Sequence, residues 1–133
     1  MSENKIAKKI MVVDDDVDLL LQLKMQLEAV GYDVTTAESV SEAEKLIETY
    51  APDLAIVDLM MERMDGGFVL CYHIKRKDPK TPVIMVTGVT ADTGFEFDSA
   101  TDEERSWLKA DVTLAKPVRI EQLTREMTRL LKG

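Results

Sequence analysis

A short apolar run that ends in a carboxylate restricts the possible folds of this chain more than any other feature. Residues 54–57 are all apolar, and Asp58 follows them directly. An uninterrupted apolar run of this length is typical of a strand buried on both faces, as found in the middle of a parallel sheet. Ligands of such sheets bind outside the carboxyl ends of the strands. Asp58 is therefore predicted to lie where a functional site would form.

Strand-like and helix-like segments alternate five times along the chain. Apolar runs predict strands at residues 9–13, 32–37, 54–58, 82–87 and 110–115. Apolar residues at helical spacing predict helices at residues 17–30, between 39 and 52, and at 68–77, 102–109 and 120–131. Such alternation implies a parallel sheet that carries helices on both faces and is joined by right-handed crossovers.

Capping signals support two of these helices. Asp15 or Asp16 can cap the first helix, and Gly31 can end it. Ser39, with Glu42 three residues later, forms the capping-box pattern at the start of the second helix. These local signals predict the helix boundaries independently of the apolar spacing.

Composition and charge limit the partners that the chain can have. At 133 residues the chain is expected to form one domain, residues 1–133, and its net charge of -8 argues against direct binding of nucleic acid. The one cysteine, Cys71, is expected to pack in the core, and the one histidine, His73, to be solvated. No apolar run approaches the ~20 residues of a membrane span, and there is no signal-peptide pattern. These features favour a cytoplasmic monomer or weak dimer without membrane contact.

Polar residues stand at the carboxyl ends of four predicted strands. Asp14 and Asp15 follow the first strand, Asp58 ends the third, Thr87 ends the fourth, and Lys116 follows the fifth. Parallel strands would bring all five to one edge of the sheet. Clustered carboxylates select a hard cation such as Mg²⁺ or Mn²⁺. A metal, an ammonium group and a hydroxyl around one carboxylate could bind a phosphoryl group, with that carboxylate as nucleophile.

Each of these residues has a simpler explanation when it is considered alone. Acids after a strand often cap the next helix, Asp58 could begin a turn, and Lys116 could be a solvated strand end. Only their combination at the ends of parallel strands favours a functional site.

In this combination the chain resembles the receiver domain of the two-component response regulators, whose single-domain form is the CheY type. The resemblance extends from about residue 9 to residue 131 and is carried by residues 12–16, 56–61, 64–66, 86–88 and 116–117. It implies a flavodoxin-like, doubly wound (βα)5 fold, with a five-stranded parallel sheet in the order 2-1-3-4-5.

The resemblance also assigns a role to each site residue. Asp58 would be the phosphoacceptor, Asp15 a direct Mg²⁺ ligand, and Asp14 a ligand acting partly through water. Met60 would offer its backbone carbonyl to the metal. Asp16 is expected to be a helix cap rather than a ligand.

Two further residues would contact the phosphoryl group. Lys116 would hold one of its oxygens, and Thr87 would be the switch hydroxyl that moves toward it. Gly88, being small, would leave room for the group.

The resemblance implies a signalling role rather than enzymatic turnover. A phosphohistidine on a sensor histidine kinase, or on a histidine phosphotransfer protein, would donate to Asp58 and change the affinity for a downstream protein target. No effector domain follows Gly133, so we expect a stand-alone receiver, although a fragment of a longer regulator would have the same sequence.

The chain departs from the family pattern at three places. Glu62 occupies the position of the usual proline, and Thr113 replaces the aromatic residue that usually rotates during switching. The segment between Thr87 and Lys116 is long, with an acidic insertion at about 88–100. This insertion could be a partner surface, a cover over the site, or incidental.

Three other functions remain open. A receiver-like interaction module that is never phosphorylated is favoured by Glu62 and Thr113. A haloacid-dehalogenase-type phosphatase would usually have a second acid where Met60 stands. A flavodoxin-type mononucleotide binder would need a loop rich in Gly, Ser and Thr after the first strand, where this chain has three acids.

Overall fold

Five parallel strands form the centre of the structure, a computed structural model that describes residues 7–58, 66–87, 111–115 and 118–132. The strands lie in the order β2-β1-β3-β4-β5, as the resemblance implied. Their bounds are β1 Lys9–Val13, β2 Asp33–Ala37, β3 Leu54–Asp58, β4 Val83–Thr87 and β5 Val112–Ala115.

Four helices accompany the sheet in the described part of the chain. They are α1 Val17–Ala29, α2 Val40–Thr49, α3 Gly66–Lys77 and α4 Ile120–Lys132. The helix predicted at 102–109 and the acidic insertion at about 88–100 lie outside the described residues.

Some strands begin later than predicted. Tyr32 lies in the turn after α1, where its backbone N–H donates to the carbonyl of Leu27 at 3.1 Å, and β2 begins at Asp33. Pro82 has no N–H for the sheet, and β4 begins at the next residue, Val83. The strand predicted from residue 110 begins at Val112, after Asp111.

The predicted caps form where the sequence placed them. The Asp16 side chain accepts a hydrogen bond from the backbone N–H of Leu19 at 3.1 Å, and the Ser39 hydroxyl accepts one from Glu42 at 3.0 Å. The Glu42 carboxylate in turn accepts from the N–H of Glu38 at 3.2 Å. Gly31, just past α1, has a φ of 105°, a conformation that glycine adopts without strain.

The sheet has an apolar core on each face because side chains alternate along a strand. Met11 and Val13 lie on the face covered by α2 and α3, whereas Ile10 and Val12 lie on the face covered by α1 and α4. The central strand β3 is buried along its whole length, as its uninterrupted apolar run predicted. In the described part of the chain, no helix has the length and apolar character needed to span a membrane.

Candidate functional site

Two carboxylates lie side by side at the carboxyl ends of the central strands. β1 and β3 are adjacent and parallel, and their register pairs Val13 with Val57. Asp14 follows Val13 and Asp58 follows Val57, so the two acids reach the same edge of the sheet. Asp14 is 3% exposed and Asp58 is 4% exposed, so both carboxylates have been removed from most of their solvent.

Asp15 completes a cluster of three carboxylates. One carboxylate oxygen of each of Asp14, Asp15 and Asp58 lies within 4.8 Å of the other two. Asp15 is exposed, so the cluster opens to solvent on one side. Three negative charges at this separation repel one another strongly when partly buried, and a divalent cation would remove that repulsion.

Local structure fixes the position of this cluster. The N–H of Asp14 donates to the carbonyl of Ala37 at 3.2 Å, which extends the sheet by one residue beyond β1. The N–H of Asp16 donates to a carboxylate oxygen of Asp14 at 2.9 Å, while the Asp16 side chain caps α1. Asp16 therefore acts as a cap, as predicted, and its N–H helps to orient Asp14.

Of the six predicted site residues, the described structure brings together Asp14, Asp15 and Asp58. Thr87 ends β4 and follows Val86, which pairs with Asp58 in the register of β3 and β4. The Thr87 side chain lies outside what the structure describes, and so do the whole of Met60, Gly88 and Lys116.

Two residues of α3 have surroundings that bear on their predicted roles. Cys71 is buried, as expected, and burial raises the pKa of its thiol to about 12. His73 was expected to be solvated, and its side chain is 40% exposed; its Nδ1 also contacts the carboxylate of Glu44 on α2, whose side chain is 35% exposed. The sequence did not predict this contact, because the spacing of charges within α3 carries no information about α2.

An ion pair between distant residues was also missed by the sequence analysis. Lys75 on α3 pairs with Asp111, just before β5, at 2.7 Å. The two residues are 36 positions apart, and neither stands in a recognisable motif. No local signal in the sequence could have identified this pair.

Comparison with known proteins identifies the family to which this chain belongs. The profile of the family described as response regulator receiver domain matches residues 10–128. The chain therefore belongs to the response regulator receiver domain family. It is a receiver domain of the two-component response regulators, and accepting a phosphoryl group is the standard function of that family.

Two relatives illustrate the similarity in sequence. The alkaline phosphatase synthesis transcriptional regulatory protein PhoP of Bacillus subtilis is 34% identical over 125 residues, covering 94% of this chain and 49% of PhoP. The heme response regulator HssR of Staphylococcus aureus is 36% identical over 114 residues, covering 85% of this chain and 46% of HssR. The chain thus spans about half the length of these relatives.

Solved structures show the same fold over most of their length. A CheY-like receiver domain protein from Methanospirillum hungatei matches with a TM-score of 0.80 and 29% identity, covering 96% of this chain and 95% of that one. The response regulator TrrA of Thermotoga maritima, solved in complex with Mg(2+)-BeF, matches with a TM-score of 0.75 and 27% identity, covering 92% of this chain and 98% of that one.

Proposed function

We propose that Asp58 is the phosphoacceptor of this receiver domain and that Mg²⁺ bound by Asp14, Asp15 and Asp58 supports the reaction. The observation that carries the proposal is the convergence of these three carboxylates to within 4.8 Å at the carboxyl ends of β1 and β3. Membership of the receiver family supports this role for the cluster, and the complex of TrrA with Mg(2+)-BeF supports the choice of metal.

The residues of the cluster fit Mg²⁺ in chemistry and spacing. Mg²⁺ takes oxygen ligands at about 2.1 Å and needs only one or two carboxylates, with water filling the other positions. Asp15 is exposed on the open side of the cluster, where bound water and a phosphoryl donor can enter. When bound, Mg²⁺ would neutralise the carboxylates and stabilise negative charge on the phosphoryl oxygens.

The protein residues would then carry the transfer itself. A carboxylate oxygen of Asp58 attacks phosphorus, the new O–P bond forms, and the bond between phosphorus and the donor nitrogen breaks. The electron pair of the broken bond returns to the imidazole of the donor. We propose that Met60 adds a backbone carbonyl to the metal site, that Lys116 holds a phosphoryl oxygen, and that Thr87 donates its hydroxyl to another.

The partners follow from this chemistry. We propose that the donor is a sensor histidine kinase or a histidine phosphotransfer protein, and that a downstream protein reads the phosphorylated state. The chain acts as a phosphoacceptor that catalyses its own phosphorylation and dephosphorylation, rather than as an enzyme with an external substrate. The cytoplasmic location and the monomeric or weakly dimeric state stay predictions.

A phosphorylation-independent interaction module is the second candidate, and Thr113 favours it. Thr113 lies in β5, pairs in register with Met85 and is only partly buried. It replaces the aromatic residue that the family uses to report phosphorylation, so the usual readout is missing from this strand. A domain that binds partners without being phosphorylated would not need that readout.

Intact-protein mass spectrometry after incubation with acetyl phosphate and Mg²⁺ tests the proposal directly. We expect the wild type to gain one phosphoryl group, and Asp58→Asn to gain none because its side chain has lost the nucleophilic carboxylate. Omitting Mg²⁺ should also prevent the gain.

Asp53→Asn is the matched control. Asp53 stands just before β3, at the opposite end of the strand from Asp58, and its carboxylate accepts a hydrogen bond from the N–H of Lys9 at 2.8 Å. This variant should be phosphorylated like the wild type. A wild type that gains no mass and is not trapped by beryllofluoride would overturn the proposal and favour the interaction module.

A further inference from the structure

Asp111 joins three elements of the fold at the start of the edge strand β5. Its carboxylate accepts a hydrogen bond from the N–H of Val83, the first residue of β4, at 2.8 Å. The same carboxylate oxygen pairs with the Lys75 ammonium group of α3 at 2.7 Å. The N–H of Asp111 donates to the carbonyl of Val83 at 2.9 Å. We call these three interactions, made by Asp111, Val83 and Lys75, the β5 clamp.

The β5 clamp stands where the register of β5 is set. Asp111 faces Val83 immediately before the first pair of the β4–β5 ladder, Ile84 with Val112. In the described sheet, β5 is an edge strand that pairs only with β4, so its register depends on that one neighbour. A slip of one residue would move the strand by about 3.3 Å and turn each side chain to the opposite face.

The register of β5 decides where its carboxyl end lies relative to the carboxylate cluster. The last pair of the ladder is Thr87 with Ala115, and Lys116 follows Ala115 directly in the sequence. The β5 clamp is at the other end of the same strand, four pairs away from that point. The β5 clamp and the carboxyl end of β5, which Lys116 follows in the sequence, thus belong to one short strand.

We propose that Asp111 is a positioning residue for phosphoryl transfer: by clamping the start of β5 to β4 and α3, it holds the strand in the register that presents Lys116 to Asp58. This proposal rests on the proposed function, in which Lys116 holds a phosphoryl oxygen. Asp111 itself touches neither the metal nor the phosphoryl group.

The groups of the β5 clamp on β4 and α3 are largely shielded from solvent. Val83 is fully buried, and its N–H donates to the Asp111 carboxylate. The Lys75 side chain is only 16% exposed, and a partly shielded ion pair resists screening by salt better than one on the open surface. The ion pair with Lys75 can be weakened while the hydrogen bond to Val83 is kept, because asparagine keeps the acceptor and loses the charge.

The chain also contains a reporter beside the clamp. Lys75 and Asp111 both act electrostatically on the thiol of Cys71, the only cysteine in the sequence. The buried thiol reacts with Ellman's reagent only when this part of the fold opens. The labelling rate of Cys71 therefore shows whether a substitution has loosened the clamp.

The test measures the rate of phosphorylation by acetyl phosphate and Mg²⁺ in Asp111→Ala, Asp111→Asn and Lys75→Gln, expressed per folded molecule. Asp33→Asn is the matched control, because Asp33 is an exposed acid that begins β2, the other edge strand. The Mg²⁺ affinity is measured in each variant as well, since the proposed metal ligands lie at the carboxyl ends of β1 and β3 and not on β5.

We expect Asp111→Ala to slow phosphorylation by about tenfold, since misplacing a binding group by about 1 Å can cost that much or more. Asp111→Asn and Lys75→Gln should lie between Asp111→Ala and the wild type, because each keeps part of the clamp. The Mg²⁺ affinity should not change, Cys71 labelling should accelerate in Asp111→Ala, and Asp33→Asn should match the wild type.

The proposal is overturned if the folded variants are all phosphorylated at the wild-type rate, even where their stability falls; Asp111 would then be purely structural. If Asp111→Ala does not fold, the same comparison is decided by Asp111→Asn and Lys75→Gln. A wild type that is not phosphorylated at all would be a failure of the proposed function, and this outcome is seen before any Asp111 variant is compared.

Discussion

At the scale of single residues, burial determines the chemistry of the Cys71 thiol more than its charged neighbours do. Burial raises the pKa of the thiol from 9.0 to about 12, Lys75 opposes the shift, and Asp111 adds to it. The thiolate is the reactive form of cysteine. In the folded protein Cys71 is therefore an unreactive core residue at neutral pH.

The raised pKa predicts a loss of stability in alkaline solution. Between pH about 9 and about 12 the unfolded state loses the thiol proton and the folded state keeps it. The contribution of Cys71 to the free energy of unfolding is thus complete below pH about 9 and is lost as the pH rises through about 12, by roughly 1 kcal/mol per pH unit.

Urea unfolding of the wild type and of Cys71→Ala, at pH about 8 and about 11, measures this contribution. The alanine variant should lose less free energy of unfolding between the two pH values, because it has no thiol to ionise. Equal losses in the two proteins would contradict the assignment.

At the scale of elements, the turn between β1 and α1 performs two tasks with consecutive acids. Asp14 belongs to the carboxylate cluster, whereas Asp16 caps α1 through the N–H of Leu19. The N–H of Asp16 also donates to Asp14, so the start of the helix and the orientation of a proposed metal ligand are coupled.

We predict that Asp16→Ala lowers the free energy of unfolding by about 1 kcal/mol, while Asp16→Asn stays close to the wild type because asparagine caps equally well. Both variants should keep far more Mg²⁺ affinity than Asp15→Asn. Urea unfolding and Mg²⁺ titration measure the two effects.

Ser39→Ala provides the comparison for this prediction. Ser39 caps α2 through the N–H of Glu42, on an element outside the carboxylate cluster. Its substitution should cost a similar amount of stability and leave Mg²⁺ binding unchanged. A loss of Mg²⁺ affinity in Asp16→Asn as large as that in Asp15→Asn would make Asp16 a ligand.

At the scale of the whole molecule, metal binding and folding stability should be linked. The chain has a net charge of -8, and three of its carboxylates are gathered in one cluster. The cluster exists only when β1 and β3 are paired, so Mg²⁺ should bind the folded state and not the unfolded one.

We therefore predict that Mg²⁺ raises the free energy of unfolding by about 2.7 kcal/mol when its free concentration is about 100 times its Kd. Scanning calorimetry should show a higher Tm in the presence of Mg²⁺ than in the presence of EDTA. Asp58→Asn should lose most of this stabilisation, whereas Asp33→Asn, at the start of an edge strand, should retain it. The same Tm in Mg²⁺ and EDTA would count against the metal site.

Much of the fold could be predicted because its signals are local. The apolar run before Asp58 indicated a buried strand, Ser39 marked the start of α2, and the acids at Asp15 and Asp16 marked the start of α1 to within one residue. Alternation of strands and helices then led to parallel pairing. That pairing brings Asp14 and Asp58 together, because aligned parallel strands place their carboxyl ends at one edge.

The sequence by itself thus determined the order of elements, the alternation of core residues and the edge of the sheet where the acids meet. Only the tertiary structure decided which side chains on neighbouring elements contact each other. The ion pair of Lys75 with Asp111 and the contact of His73 with Glu44 join residues 36 and 29 positions apart. Periodicity and capping act over a few residues, whereas these contacts depend on how α3 packs against its neighbours, which no local pattern encodes.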